Sequence, residues 1–493
     1  MKTSTNLLLL LLGISFCQFA NAQEPVKPYH EQYRPQVHFS PKAHWTNDPN
    51  GMVHFKGTYH LFFQYYPSGT TWGPMHWGHA ISKDLLHWNE LPIALYPDSL
   101  GYIFSGSAVV DSNNTSGFGK NGKTPLVAIF THHDPKGEKA QKDNFQNESL
   151  AYSLDEGRTW TKYAGNPVLK NPGIRDFRDP KVMWYAKEKK WVMTLATKDH
   201  ITFYSSPDLK SWKKESEFGK EVGAHGGVWE CPDLFPLSLN GKTYWVLIVN
   251  LNPGGPNGGS ATQYFIGQFD GKSFTAIDNK TQWLDYGPDE YAGITWSNTG
   301  NRKIFLGWMS NWDYANQVPT VKWRNAMTIP RELSLFEFEG TLYVKSTPVK
   351  ELRFVEQKKT QSIVSKLPER LPGQCFVRLN VDHSVDCSIT LSNQKGEKLI
   401  IGYDKSKDQY FIDRTKSGKV DFAKNFSRIA YAPRFSKTKE SEIGLLIDRS
   451  SVELFADRGR TVMTSIFFPS APYEHIDLKS LRITQLIPLN GIW

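Results

Sequence analysis

Three features of this 493-residue sequence predict an all-β fold, a five-bladed β-propeller followed by a C-terminal antiparallel β-sandwich. The first is strand texture. Aromatic residues make up 13% of the chain, and short apolar-aromatic runs at 59–66, 126–130 and 244–249 are bounded by Gly, Pro, Asn and Asp. Such runs read as strands joined by tight turns, because branched and aromatic side chains fit a pleated, half-buried surface. The second is the lack of any long segment with helical periodicity. The third is an internal repeat. Ala80-Ile81-Ser82-Lys83-Asp84-Leu85-Leu86-His87-Trp88 recurs at 151–160 and 203–212, and in decayed form at 267–274. Each copy reads as a strand, a Ser/Asp turn and an aromatic opening the next strand. A spacing of roughly 50 to 70 residues suits four-stranded blades with loops. Four copies and a closing segment at Ile304-Phe305-Leu306-Gly307-Trp308 predict five blades.

Taken in order, residues 1–22 read as a signal peptide, with Lys2 as the positive start, an apolar run from Leu7 and a small-x-small site at Ala20-Asn21-Ala22. That run is too short to span a bilayer. No later segment is apolar enough, so a secreted or periplasmic chain without a membrane span is expected. Cys17 leaves lipoprotein anchoring as an alternative, which Phe16 just before it disfavours. Residues 33–345 are assigned to the propeller. Residues 346–370, rich in Lys, Glu and Gln, read as a linker and 371–493 as the sandwich. Within the last segment Cys387-Ser388-Ile389-Thr390-Leu391 and Ser451-Val452-Glu453-Leu454-Phe455-Ala456 alternate as half-buried strands do.

The formal net charge of +9 is spread along the chain, with no dense run of Lys and Arg, so no nucleic-acid partner is expected. After cleavage Cys231, Cys375 and Cys387 remain, and an odd count excludes a disulfide framework. Cys375 and Cys387 either pair or are free core thiols. No Cys/His spacing suits a metal, and neither metal nor cofactor is expected. His76, His79 and the His132-His133 pair read as ordinary polar or packing positions. No oligomeric state is read from the sequence.

Three acids stand in aromatic, proline-pinned settings: Asp48 in Trp45-Thr46-Asn47-Asp48-Pro49-Asn50-Gly51, Asp179 in Phe177-Arg178-Asp179-Pro180, and Glu230 in Trp229-Glu230-Cys231-Pro232-Asp233. Around Asp48 the proline fixes the backbone and the glycine closes what reads as a rigid turn. Singly each acid suits a structural role. Together, in a funnel lined by the inner strand of every blade, they suit retaining glycoside hydrolysis, in which one carboxylate attacks and a second transfers the proton. Asp48, short and rigid, suits the nucleophile. Glu230, between Trp229 and Cys231, is expected in a less polar setting that keeps it protonated as the acid. Asp179, beside Arg178, is expected to stay ionised and grip sugar hydroxyls. The Gly-rich 252–259 stretch opens no helix, so it reads as a loop near the pocket rim, not a phosphate site.

These motifs resemble the three signatures of glycoside hydrolase family 32, which holds the β-fructofuranosidases: invertases, exo-inulinases and levanases. The likeness runs over nearly the whole mature chain and includes Gln64, Trp72-Gly73, His76-Trp77-Gly78-His79, Phe104-Ser105-Gly106-Ser107 and Gly307-Trp308-Met309-Ser310-Asn311-Trp312. The resemblance implies a propeller with a β-sandwich and no metal requirement. It implies Asp48 as nucleophile, Asp179 as transition-state stabiliser and Glu230 as acid/base, with Asn47, Gln64, Trp72, Phe104, Ser105, Arg178 and Trp312 around a bound fructose. The implied substrate is a fructose-containing oligo- or polysaccharide (inulin, levan, sucrose) that loses terminal fructosyl units. Thr46 stands where many members carry methionine, without consequence for the chemistry. A fructosyltransferase on the same scaffold and a fructan-binding protein without catalysis remain alternatives.

Overall fold

The computed structural model describes residues 28–357, 361–362 and 370–493. The leader at 1–22, Cys17 and most of the latter half of the expected linker lie outside the described residues. The described chain is all-β, with one five-residue α-helix, Pro135–Lys139, and a 3-10 turn, Lys350–Phe354. Branched and aromatic residues alternating across a pleat account for the strands.

Five antiparallel sheets follow one another along the chain. Their opening strands are His44–Phe55, Tyr102–Val110, Phe177–Tyr185, Val228–Leu239 and Tyr291–Thr295. Trp323–Arg324 adds in parallel beside the first of these. The sequence repeat is the turn from the third to the fourth strand of the first four sheets. There Asp84, Asp155, Asp208 and Asp270 accept backbone N–H groups from residues two to four further on, as Asx turns do. The fifth sheet makes the equivalent turn with Glu339 and Gly340, both at positive φ. A two-residue hairpin of that kind needs no aspartate, so the repeat has no fifth copy.

Each sheet shares a core with the next. Phe62 and Trp77 meet Ile103 and Ala128; Val109 and Ile129 meet Val182 and Met193. Ile201 and Phe203 meet Leu247 and Phe265, and Val246 and Ile248 meet Phe305 and Leu333. The fifth sheet packs on the first through Ile304, Trp308, Met52 and Phe63.

The stretch expected to begin the linker is instead structured as far as Gln357. Thr341–Pro348 is a strand, with Leu342, Val344 and Ser346 buried in alternation, and Glu356 bridges Leu489. Its charged residues belong to the fold: Lys350 faces solvent, whereas Glu351 is buried and accepts Arg302 at 2.7 Å. Beyond it lie a six-stranded and a five-stranded sheet over one core containing Val377, Leu379, Ile389, Ile401 and Leu445. Cys375 and Cys387 lie on different sheets of this unit, and both are free and buried, as is Cys231.

The two parts meet through buried ions. Arg331, fully buried, donates to Asp285 at 2.9 Å and to Glu453 at 2.9 Å. Arg414 donates to Asp289 at 2.5 Å and to the Tyr314 hydroxyl at 2.8 Å. His38 lies between Asp448 and Glu453, 2.8 Å from each.

Candidate active site

All five opening strands are irregular at one level. Pairing slips between Thr46 and Pro49 in the first, Ile103 and Gly106 in the second, Arg178 and Lys181 in the third, Glu230 and Asp233 in the fourth and Tyr291 and Ile294 in the fifth. Trp45 to Gly51 is therefore not the free-standing turn that Asn-Asp-Pro-Asn-Gly suggests. It lies inside a twelve-residue strand, and the proline makes a bulge there. Pro49, Pro180 and Pro232 cannot donate to a ladder, so the chain buckles beside each one and re-aims the neighbouring side chain. Asp179 and Cys231 take φ values of +64° and +42°.

These bulges bring Asp48, Asp179 and Glu230 with Asn47, Phe104, Ser105 and Arg178 to one cavity of about 370 Å³, which Gln64, Trp72 and Trp312 also line. The Asp48 carboxylate accepts the Ser105 hydroxyl at 2.7 Å and the Asn47 amide at 2.9 Å. The Asn47 amide is in turn oriented by the Trp45 indole N–H at 2.8 Å. Asp179 Oδ2 accepts the Cys231 backbone N–H at 3.0 Å. The Cys231 thiol lies 3.5 Å from Asp48 and from Asp179 and fills the gap between them. Beneath it the space between strands shrinks to about 10 Å³, so the floor is closed to a sugar. Trp312 sits 4.9 Å from Trp308 and 5.9 Å from Trp45, ring to ring, on one wall. Trp72, 40% exposed, stands at the mouth, edge-on to Phe104. Gln64 is buried, and its Nε2 has no protein partner among the described residues. A buried amide donor aimed at a cavity waits for an acceptor.

Two electrostatic expectations are corrected. Glu230 is not in a less polar setting, because Trp229 turns into the core and the carboxylate meets Arg178 at 3.0 Å and the Tyr291 hydroxyl. Arg178 does not serve Asp179 directly. Its guanidinium donates to Glu230, to Asp176 at 2.6 Å and to Gln146 at 3.4 Å. Burial therefore raises the Asp179 carboxyl above the ordinary aspartate range; Arg178 opposes this, and Glu230 and Asp48 reinforce it. Asp48 is raised as well, by burial first and by Glu230 second, against the pull of Ser105 and Asn47.

Sequence reasoning passed over other members of the site. Tyr291 had no distinguishing motif, and it reaches Glu230 only because the fifth opening strand packs beside the fourth. His133, read as an ordinary packing position, lines the cavity, stacks on Phe104 at 4.2 Å and meets Glu138 at 3.1 Å. His76, His79 and His132 do not line it. The Gly-rich loop lies behind the wall. Ser260 just after it accepts the Trp312 N–H at 3.1 Å, and Asn257 accepts the Tyr431 N–H of the second unit at 3.0 Å. Among the described residues no cluster of His, Cys, Asp or Glu could hold a metal, and no helix is long and apolar enough to cross a membrane.

Comparison with known proteins agrees with this geometry. Residues 38–346 match the glycosyl hydrolases family 32 N-terminal domain, and residues 347–485 match the family's C-terminal domain. The chain belongs to glycosyl hydrolases family 32. This family 32 enzyme is 47% identical over 492 residues to the levanase of Bacillus subtilis strain 168, covering 94% of this chain and 72% of that protein. It is 41% identical over 526 residues to an extracellular exo-inulinase of Aspergillus niger, covering 96% of each. The crystal structure of an exo-inulinase from Aspergillus awamori superposes with a TM-score of 0.87 at 39% identity, covering 94% of this chain and 100% of that one.

Proposed function

We propose that this family 32 glycoside hydrolase is a secreted, retaining exo-fructan hydrolase, releasing terminal β-D-fructofuranosyl units from inulin, levan and sucrose. The observation that carries the proposal is a small cavity, closed at its floor, in which Asp48, Asp179 and Glu230 converge from three different sheets. Asp48 accepts the Ser105 hydroxyl, the Asn47 amide and, at 3.5 Å, the Cys231 thiol, so three donors hold its carboxylate as a nucleophile. It attacks the anomeric carbon while Glu230 gives its proton to the departing sugar oxygen. Glu230 then takes a proton from the water that cleaves the fructosyl ester. Arg178 and Tyr291 hold Glu230 in place for both steps. Among the described residues no donor reaches Asp179 Oδ1, which leaves it for sugar hydroxyls and for the positive charge developing on the ring. Asn47, Gln64, Ser105 and Arg178 are the polar contacts of the terminal fructose, and Trp72, Phe104 and Trp312 its apolar walls.

The same reading assigns the five N-terminal sheets, residues 33–345, to a five-bladed propeller. Its support is the shared core between each sheet and the next, with the fifth packed on the first. Residues 371–493 form a β-sandwich, supported by two sheets over one core. Secretion is supported by the leader-like 1–22 stretch and by the extracellular naming of the exo-inulinase relative.

A cavity closed at its base takes a chain end, not a chain middle. Digestion of inulin or levan should therefore release fructose from the first minutes while the polymer shortens slowly, as followed by thin-layer chromatography. Short oligosaccharides ahead of free fructose would refute exo attack. Oligomers growing at high sucrose would favour a transferase.

A further inference from the structure

Behind Asp179, on the second sheet, lies a buried acid that the reaction above does not use. Glu148, on the Gln146–Ser153 strand, is fully buried. Its Oε2 accepts the Thr131 hydroxyl at 2.7 Å, and among the described residues no protein group meets its Oε1. Thr131 is buried directly across the ladder from it. A threonine hydroxyl has one proton to give. Having given it to Glu148, Thr131 presents a lone pair to Asp179, whose backbone N–H donates to it at 3.0 Å. Asp179 needs that anchor. Its φ of +64° is costly for a residue with a side chain, and its N–H falls where the strand ladder is interrupted.

We propose that Thr131 and Glu148 are positioning residues that act on the sugar only through Asp179. Glu148 fixes the rotation of the Thr131 hydroxyl, and Thr131 holds the Asp179 main chain in the left-handed conformation that aims its carboxylate into the cavity. The proposal rests on the role of Asp179 given above. Glu148 acts here as an acceptor, not as a charge. Burial pushes its carboxyl well above the ordinary range, with Asp179 adding to the effect, and the titratable groups facing it are Asp179 and Tyr204 of the third sheet.

The test compares paired variants on an activated fructoside and on inulin. Thr131→Val keeps the volume and removes the lone pair, leaving a buried N–H unpaired. Its kcat should fall roughly ten- to a hundredfold with KM near that of the wild type. Thr131→Ser should restore most of kcat. Glu148→Leu should behave as Thr131→Val does, whereas Glu148→Gln, whose amide oxygen accepts the same proton, should keep both kcat and the pH profile. Wild-type kcat in Thr131→Val overturns the proposal. So does a Glu148→Gln variant that loses as much as Glu148→Leu and shifts the acid limb, since charge would then be what matters. If Glu148→Leu does not fold, the Thr131 pair decides. A wild-type enzyme inactive on every fructoside would sink the functional reading; an active one indifferent to Thr131→Val sinks only this inference.

Discussion

At the scale of single residues, the site assigns different work to similar acids by what surrounds each one. Asp48 accepts from Ser105, Asn47 and the Cys231 thiol. Asp48→Asn should therefore cut kcat to below about a hundredth of wild type, because an amide cannot form the fructosyl ester. The melting temperature should stay within a few degrees, about the shift that surface-scale energies give. Fructose release and a thermal melt on the same sample check both halves. Glu230 differs in being gripped by Arg178 and Tyr291. Glu230→Ala should lose far more rate on sugar leaving groups than on an activated leaving group that departs without a proton. Equal losses on the two substrates would make Glu230 a binding residue.

The bulged opening strand is the element on which the site is built. It works because partner strands approach closely enough to hold a buckled chain. Gly106, beside the Phe104-Ser105 bulge, has Ile129 O at 2.0 Å and Phe130 Cα at 2.7 Å from where a Cβ would lie. Backbone atoms of this one partner strand cannot yield as a side-chain tip would. Gly106→Ala should therefore cost about 1–3 kcal/mol in a urea titration. It should also lower kcat, because Ser105 would be displaced from Asp48. An alanine variant with wild-type midpoint and rate would show that this strand has slack.

For the whole molecule, the joint between the two parts depends on buried charge. His38 is held by Asp448 and Glu453, which raise its pKa to about 9 against the desolvation that would lower it. A folded-state pKa above the unfolded value of about 6.5 means that the protonated form is favoured by folding. That contribution is complete below about pH 6.5 and is lost as pH rises towards 9, a difference on the order of 3 kcal/mol. Stability measured by denaturant between pH 6.5 and 9 should fall, and His38→Gln should flatten the fall. An equal slope in the variant would move the effect elsewhere in the network.

Local chemistry was enough to determine much of this protein. Strand-forming runs, Asx turns such as Asp84 and Asp208, and acids beside prolines are written in adjacent residues, and neighbours along the chain decide them. Hence the all-β class and the three acids were legible in local sequence, while the seven residues expected around the sugar came from family resemblance and other cavity residues, His133 among them, were passed over. What neighbours do not decide is the partner across a gap. Asn-Asp-Pro-Asn-Gly has the composition of a turn, yet pairing with Thr58–Tyr66 draws it into a strand and leaves a bulge. Arg178 precedes Asp179, yet its guanidinium goes to Glu230, which approaches from another sheet. Tyr291, Thr131 and Glu148 carry no motif, because their roles come from contacts between strands far apart in sequence. Propensity and turn chemistry act over a few residues; register and packing, which set these contacts, exist only once the sheets have assembled.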